Sequence, residues 1–181
     1  DPLRSHPSWL AWNRGKKSIV LDLETPKGQE HAQALAQRAD VLVESFRPGE
    51  SQSLGIDYEM LSGINPLLVY CSITGFGQRG RFRNLKDYEG VIAAKSGRMS
   101  AFNGQLDRSG PIYAAVQTAT WAASQAAVRG ILATLRIRDQ MGRGQWVQTS
   151  GLPGTFPFSR PRPTNTFFNR KDPERFPLVS P

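Results

Sequence analysis

The stretch "LLVYCSITGFGQRG", residues 67–80, decides the fold. Its first seven residues are mostly apolar, carry no helical period and follow Pro66, so they predict a buried strand. The run ends in Gly75, Gly77 and Gly80, which spell G-x-G-x-x-G. In a dinucleotide-binding unit such glycines follow a strand and open directly into a helix. An acid about 20 residues further on then holds the ribose. Only the first condition is met. "RFRNLKDYEG" follows without an apolar helical period, and no acid stands at residues 93–95. The glycines read as a turn beyond a strand.

Working outward, residues 18–23 (SIVLDL) predict a strand, and Thr25-Pro26 predicts a helix start with Thr as N-cap and Pro at the first position. Ala32, Leu35, Ala36 and Ala39 then recur at helical spacing. Residues 41–46 predict a second strand, residues 58–61 a short helix, and residues 67–73 a third strand. This strand–helix rhythm predicts a parallel sheet, since parallel neighbours need crossover connections. Residues 117–139 predict the longest helix, with Trp121, Val128, Ile131, Leu132 and Leu135 at helical spacing, and residues 146–149 one more strand. The expected fold is therefore α/β, Rossmann-like, a mostly parallel sheet flanked by helices. Residues 1–150 form the folded segment. Residues 151–181 hold seven of the thirteen prolines and read as a linker or extended arm.

Composition narrows the function. The 181 residues suffice for one domain with a core, and no apolar run approaches the roughly 20 residues that span a bilayer. Cys71 is the only cysteine, so no internal disulfide forms; it lies inside a predicted strand, and a reducing, cytoplasmic setting is expected. The formal charge of +8 raises phosphate-bearing partners. Its densest group, Arg79-Arg81-Arg83-Lys86, sits beside the glycine turn, where it suits a small phosphorylated ligand or a solvated loop. No base-reading motif appears, so a basic nucleic-acid-binding module ranks below a small-ligand site. No metal site is read. The opening "DPLRSHPSWLAW" reads as the interior of a longer chain.

Five segments, in order, resemble the class III CoA-transferases, the family of formyl-CoA and carnitine CoA-transferases to which α-methylacyl-CoA racemase belongs. They are "NRGKKSIVLDLETPKGQE", "ADVLVESFRPG", "LGIDYEML", "INPLLVYCSITGFGQRG" and "GILATLRIRDQMGRGQWVQTS". The resemblance implies a fragment of the family's large domain, with CoA or acyl-CoA as substrate, a carboxylic acid as acceptor and no metal. It implies a homodimer or tandem-domain partner with interlocked chains. It places Ser45 and Phe46 where the family's Asn-Phe pair lines the CoA site and Lys86 at a matching basic position. It sets Gly75 and Gly77 in a turn at the edge of that site. Arg14 and Lys17, with Lys16, precede the first strand and suit phosphate or open solvent equally.

A class III transferase works through an aspartate ten residues before the glycine of G-I-L-A-A-L; counting back from Gly130 gives Thr120. No Asp or Glu stands from Ser109 to Leu135. A threonine hydroxyl needs a base to attack, and the only histidines, His6 and His31, lie in the opening and the first helix. Thr120 is therefore expected to be structural, and the segment a CoA-binding half, inactive alone. The alternative is a non-catalytic acyl-CoA-binding or scaffold subunit. Tyr88 stands where the racemase branch has His, which disfavours racemase activity. Glu89 keeps the family's acidic position and is the remaining catalytic candidate, as a base, as an orienting group, or as a plain surface carboxylate.

Overall fold

The computed structural model describes residues 6–100 and 110–155. Three parallel strands form one sheet in the order β1 (Val41–Glu44), β2 (Val69–Thr74), β3 (Trp146–Ser150). Val41 lies opposite Val69, and Tyr70 opposite Trp146. Helices supply the crossovers that parallel strands require. α1 (Pro7–Trp12) and α2 (Pro26–Gln37) precede β1. α3 (Glu50–Ser53) and α4 (Tyr58–Ile64) link β1 to β2. α5 (Glu89–Lys95) and α6 (Thr118–Met141) link β2 to β3, and α7 (Gly151–Thr155) follows directly. α7 occupies the start of the expected proline-rich arm; residues 156–181 lie outside the described residues.

Local signals act as their chemistry dictates. Thr25 Oγ1 accepts from the Gly28 N–H at 3.1 Å, capping α2 behind Pro26. Asp57 caps α4 by accepting from Glu59 and Met60. Gly142, at φ 67°, ends α6 in the left-handed conformation.

One expectation is corrected. Residues 18–23 form no strand; β3 is the third member of the sheet instead. Among the described residues no strand lies beside them, so their backbone has no ladder to join, and Val20 is 87% exposed. α6 forms as its spacing predicts; of the five apolar residues that mark it, Trp121, Val128 and Leu132 are exposed and Ile131 and Leu135 half-buried, while Ala119, Ala122, Ala123, Ala127 and Thr134 are buried. The reason is close approach. A Cβ on Gly130 would come within 2.7 Å of Val147 Cγ1, so only small side chains fit between α6 and the sheet.

β2 is the central strand, and Val69, Tyr70, Cys71 and Ser72 are all buried. Such two-sided burial explains its continuous, non-alternating sequence. One core cluster gathers Ala36, Ile56, Leu61, Leu68 and Tyr70; a second gathers Phe76, Ile92 and Ala119.

Candidate active site

A cleft of about 280 Å³ opens at the carboxyl ends of all three strands. Ser45 follows β1, Ile73, Thr74 and Gly75 end β2, and Gly151 follows β3; α6 adds Ala119, Thr120, Ala123 and Ser124. In open parallel sheets this is the edge where ligands bind. The glycine turn shapes its rim. A Cβ on Gly75 would meet Asp87 Cβ at 2.5 Å, so the absent side chain lets the segment before α5 close over β2. Gly77, at φ 89°, donates its N–H to Thr74 Oγ1 at 3.0 Å, folding the chain back over the strand end.

Ser45, Gly75 and Thr120 are thus brought together from three elements. Glu89 joins them through Thr120. Its Oε1 accepts from the Ala119 N–H at 2.8 Å, and its Oε2 accepts from the Thr120 N–H at 3.0 Å and from Thr120 Oγ1 at 2.9 Å. Gln117, the residue at the N-cap of α6, makes no side-chain cap. Glu89 therefore satisfies two of the helix's unpaired N–H groups from 30 residues away. The sequence reading placed no base near Thr120; the structure places this carboxylate there, with both oxygens already accepting.

The other expected residues lie around the cleft rather than in it. Phe46 packs on the core of Ala36, Leu61 and Tyr70. Its N–H donates to Glu44 Oε2 at 2.6 Å. Lys86 is exposed, its Nζ 5.7 Å from the Tyr88 ring centroid. Arg14 and Lys17 are exposed in the segment after α1. Arg81 and Lys95 both stand over the ring of Phe82, at 4.5 and 4.8 Å. Arg81 comes from the glycine turn and Lys95 from the end of α5.

Two features escaped the sequence reading. Asp87 lines the cleft, is exposed, and makes no hydrogen bond or ion pair among the described residues. Its signal was an acid two residues before Glu89. A second cleft, of about 470 Å³, shares Thr120 and Ser124 with the first and is walled by Trp12, Trp121, Gln117 and Gln125. The two indole rings meet edge to face at 5.3 Å. Cys71 is no nucleophile: burial, with the Glu44 charge adding, pushes its thiol up to about 11. Among the described residues no three His, Cys, Asp or Glu side chains gather to hold a metal ion. No helix among them is long and apolar enough to cross a membrane.

The sequence profile of CoA-transferase family III matches residues 2–178. The chain belongs to that family. It is 40% identical over 142 residues to the succinate–glutarate CoA-transferase of Agrobacterium fabrum, covering 78% of this chain and 35% of that one. It is 38% identical over 138 residues to the formyl-CoA:oxalate CoA-transferase of Streptomyces avermitilis, covering 76% and 33%. The structure matches a CaiB/BaiF family protein from Brucella suis with TM-score 0.76 and 32% identity, over 90% of this chain and 42% of that one. The CoA-transferase family III segment seen here spans about a third of the length of those curated relatives.

Proposed function

We propose that this chain is the CoA-binding segment of a protein that transfers CoA between an acyl-CoA and a carboxylic acid, and that Thr120 is not its nucleophile. One observation carries the reading. The cleft beyond the three parallel strands gathers Ser45, Gly75 and Thr120 at the edge where open parallel sheets bind ligands. Thr120 is set aside on chemical grounds, although Glu89 accepts from its hydroxyl: an ester there would lose the thioester's group-transfer potential. CoA could then not be passed on without an energy source.

The phosphates of CoA find cations near the turn. Lys86 stands next to Asp87 on the rim, and Arg79, Arg81 and Arg83 follow Gly77. Arg14, Lys16 and Lys17 form a second exposed basic group close in sequence to Trp12 of the adjoining cleft. The outward apolar stripe Trp121, Val128 and Leu132 supports a packed neighbour, a second copy of this chain or a tandem half.

Calorimetry of CoA binding to the full-length protein tests the reading. Affinity should fall with added salt, and Lys86→Ala should weaken it about three- to tenfold, the loss of one partly screened charge contact. CoA and dephospho-CoA binding equally, with no salt dependence, would remove the phosphate role. No CoA binding at all would remove the reading.

A further inference from the structure

We propose that the cleft between α1 and α6 takes the acyl group of the acyl-CoA, and that the class it fits is an uncharged arylalkanoyl group; this rests on the neighbouring cleft being the CoA site. Continuity joins the two. The cleft of about 470 Å³ shares Thr120 and Ser124 with the cleft at the carboxyl ends of the strands. The cations follow the glycine turn, with Arg79, Arg81 and Arg83 beyond Gly77 and Lys86 beside Asp87. A ligand whose phosphates sit at that turn reaches the second cleft with its uncharged end, over Thr120 and Ser124.

The lining selects what enters. Gln117, Thr120, Trp121, Ser124 and Gln125 share one face at the start of α6, and Trp12 comes from the end of α1. None of the six is charged, and Arg14, Lys16 and Lys17 follow Trp12 in the chain without lining the cleft. Both hydroxyl protons are committed. Thr120 Oγ1 donates to Glu89 Oε2 at 2.9 Å, and Ser124 Oγ donates to the Thr120 carbonyl at 2.8 Å. The amides of Gln117 and Gln125 make no side-chain hydrogen bond among the described residues and are the donors left. A carboxylate on the acyl group would lose water here and meet no cation, with the Glu89 charge one hydrogen bond behind Thr120.

The two indoles supply the aromatic preference. Their centroids lie 5.3 Å apart with 63° between the planes. Edge-to-face contact uses the edge of one ring and one face of the other, and leaves further face open to a third ring. Trp12 is 61% and Trp121 48% exposed, so an aryl group laid on them removes apolar surface from water.

The test is calorimetry of the full-length protein with three ligands that carry no thioester to transfer: CoA, S-phenylpropyl-CoA and S-carboxypropyl-CoA. The aryl thioether should bind roughly tenfold or more tightly than CoA, as burial of one phenyl group gives, and the carboxylate no more tightly than CoA. Trp12→Ala and Trp121→Ala should each remove most of that gain and leave CoA affinity within about twofold. The two thioethers binding equally, or the carboxylate ahead, overturns the proposal and leaves the CoA site standing. Equal loss of CoA and S-phenylpropyl-CoA affinity in the tryptophan variants assigns the indoles to the nucleotide and overturns it. An altered oligomer mass in light scattering with the aryl preference intact assigns them to a second copy and overturns it as well. No binding of any of the three removes the CoA site itself. The three-ligand comparison uses the unmodified protein, so it decides even if a variant fails to fold.

Discussion

The two sides of the central strand use their polar groups differently. Toward α2 and α4, every polar group named here has a partner. The Tyr70 hydroxyl donates to the Ile56 carbonyl at 3.0 Å, and Asn65 Nδ2 donates to the carbonyls of Ala36 and Ala39. Trp146 Nε1 donates to Ser72 Oγ, while its ring stacks on Tyr58 at 5.7 Å. At the carboxyl end of the same strand, Asp87 carries an ionisable group with no protein partner among the described residues. A packed core tolerates few unpaired polar atoms, because desolvation without a bond costs about 1–3 kcal/mol. A cleft can leave one free for a ligand to satisfy.

The core side breaks at high pH. Burial, with Glu44 adding, pushes Tyr70 from 10.0 up to about 12, as it pushes Cys71 from 9.0 up to about 11. The unfolded chain therefore loses these protons first as pH rises. The stability they contribute is intact below about pH 9 and is lost between the unfolded and folded values, at about 3 kcal/mol for a two-unit shift. Urea unfolding across pH 8–12 should show this fall. Tyr70→Phe, which cannot ionise, should lie below the native protein near neutrality by about 1 kcal/mol for its lost hydrogen bond. It should then lose less stability above pH 10; parallel curves for the two proteins would break the contrast.

A smaller effect sharpens the cleft side. Glu89→Ala should cost about 1–2 kcal/mol by uncapping α6, read from urea midpoints. No loss would mean that the carboxylate is not committed to the helix, which would return it to the list of free acids in the cleft.

The sequence made β1, β2, β3, α2, α4 and α6 legible, because their signals are local. Thr25-Pro26 caps a helix wherever it lies, and a seven-residue apolar run needs no partner to be read as a strand. Residues 18–23 misled because a strand's existence depends on a neighbour that a local pattern cannot supply. The apolar spacing of α6 marked the helix without marking its packed face. Periodicity finds the larger side chains, whereas the close approach at Gly130 selected the small ones. At the candidate cleft, the family motifs pointed to Ser45, Gly75 and Thr120, three residues that the fold brings to one lining. The pairing of Glu89 with Thr120 spans 31 residues and leaves no trace in spacing. Asp87 was visible only as one more acid in a loop until Gly75 placed it.

Hydrogen–deuterium exchange of the full-length protein with and without CoA tests the central claim most directly. The cleft account predicts that CoA slows exchange in residues 73–80, 86–93 and 118–124, at the carboxyl edge of the sheet and the start of α6. Residues 58–68, on the core side, should be unchanged. Protection centred on residues 58–68, or none at the carboxyl edge at saturating CoA, would contradict it.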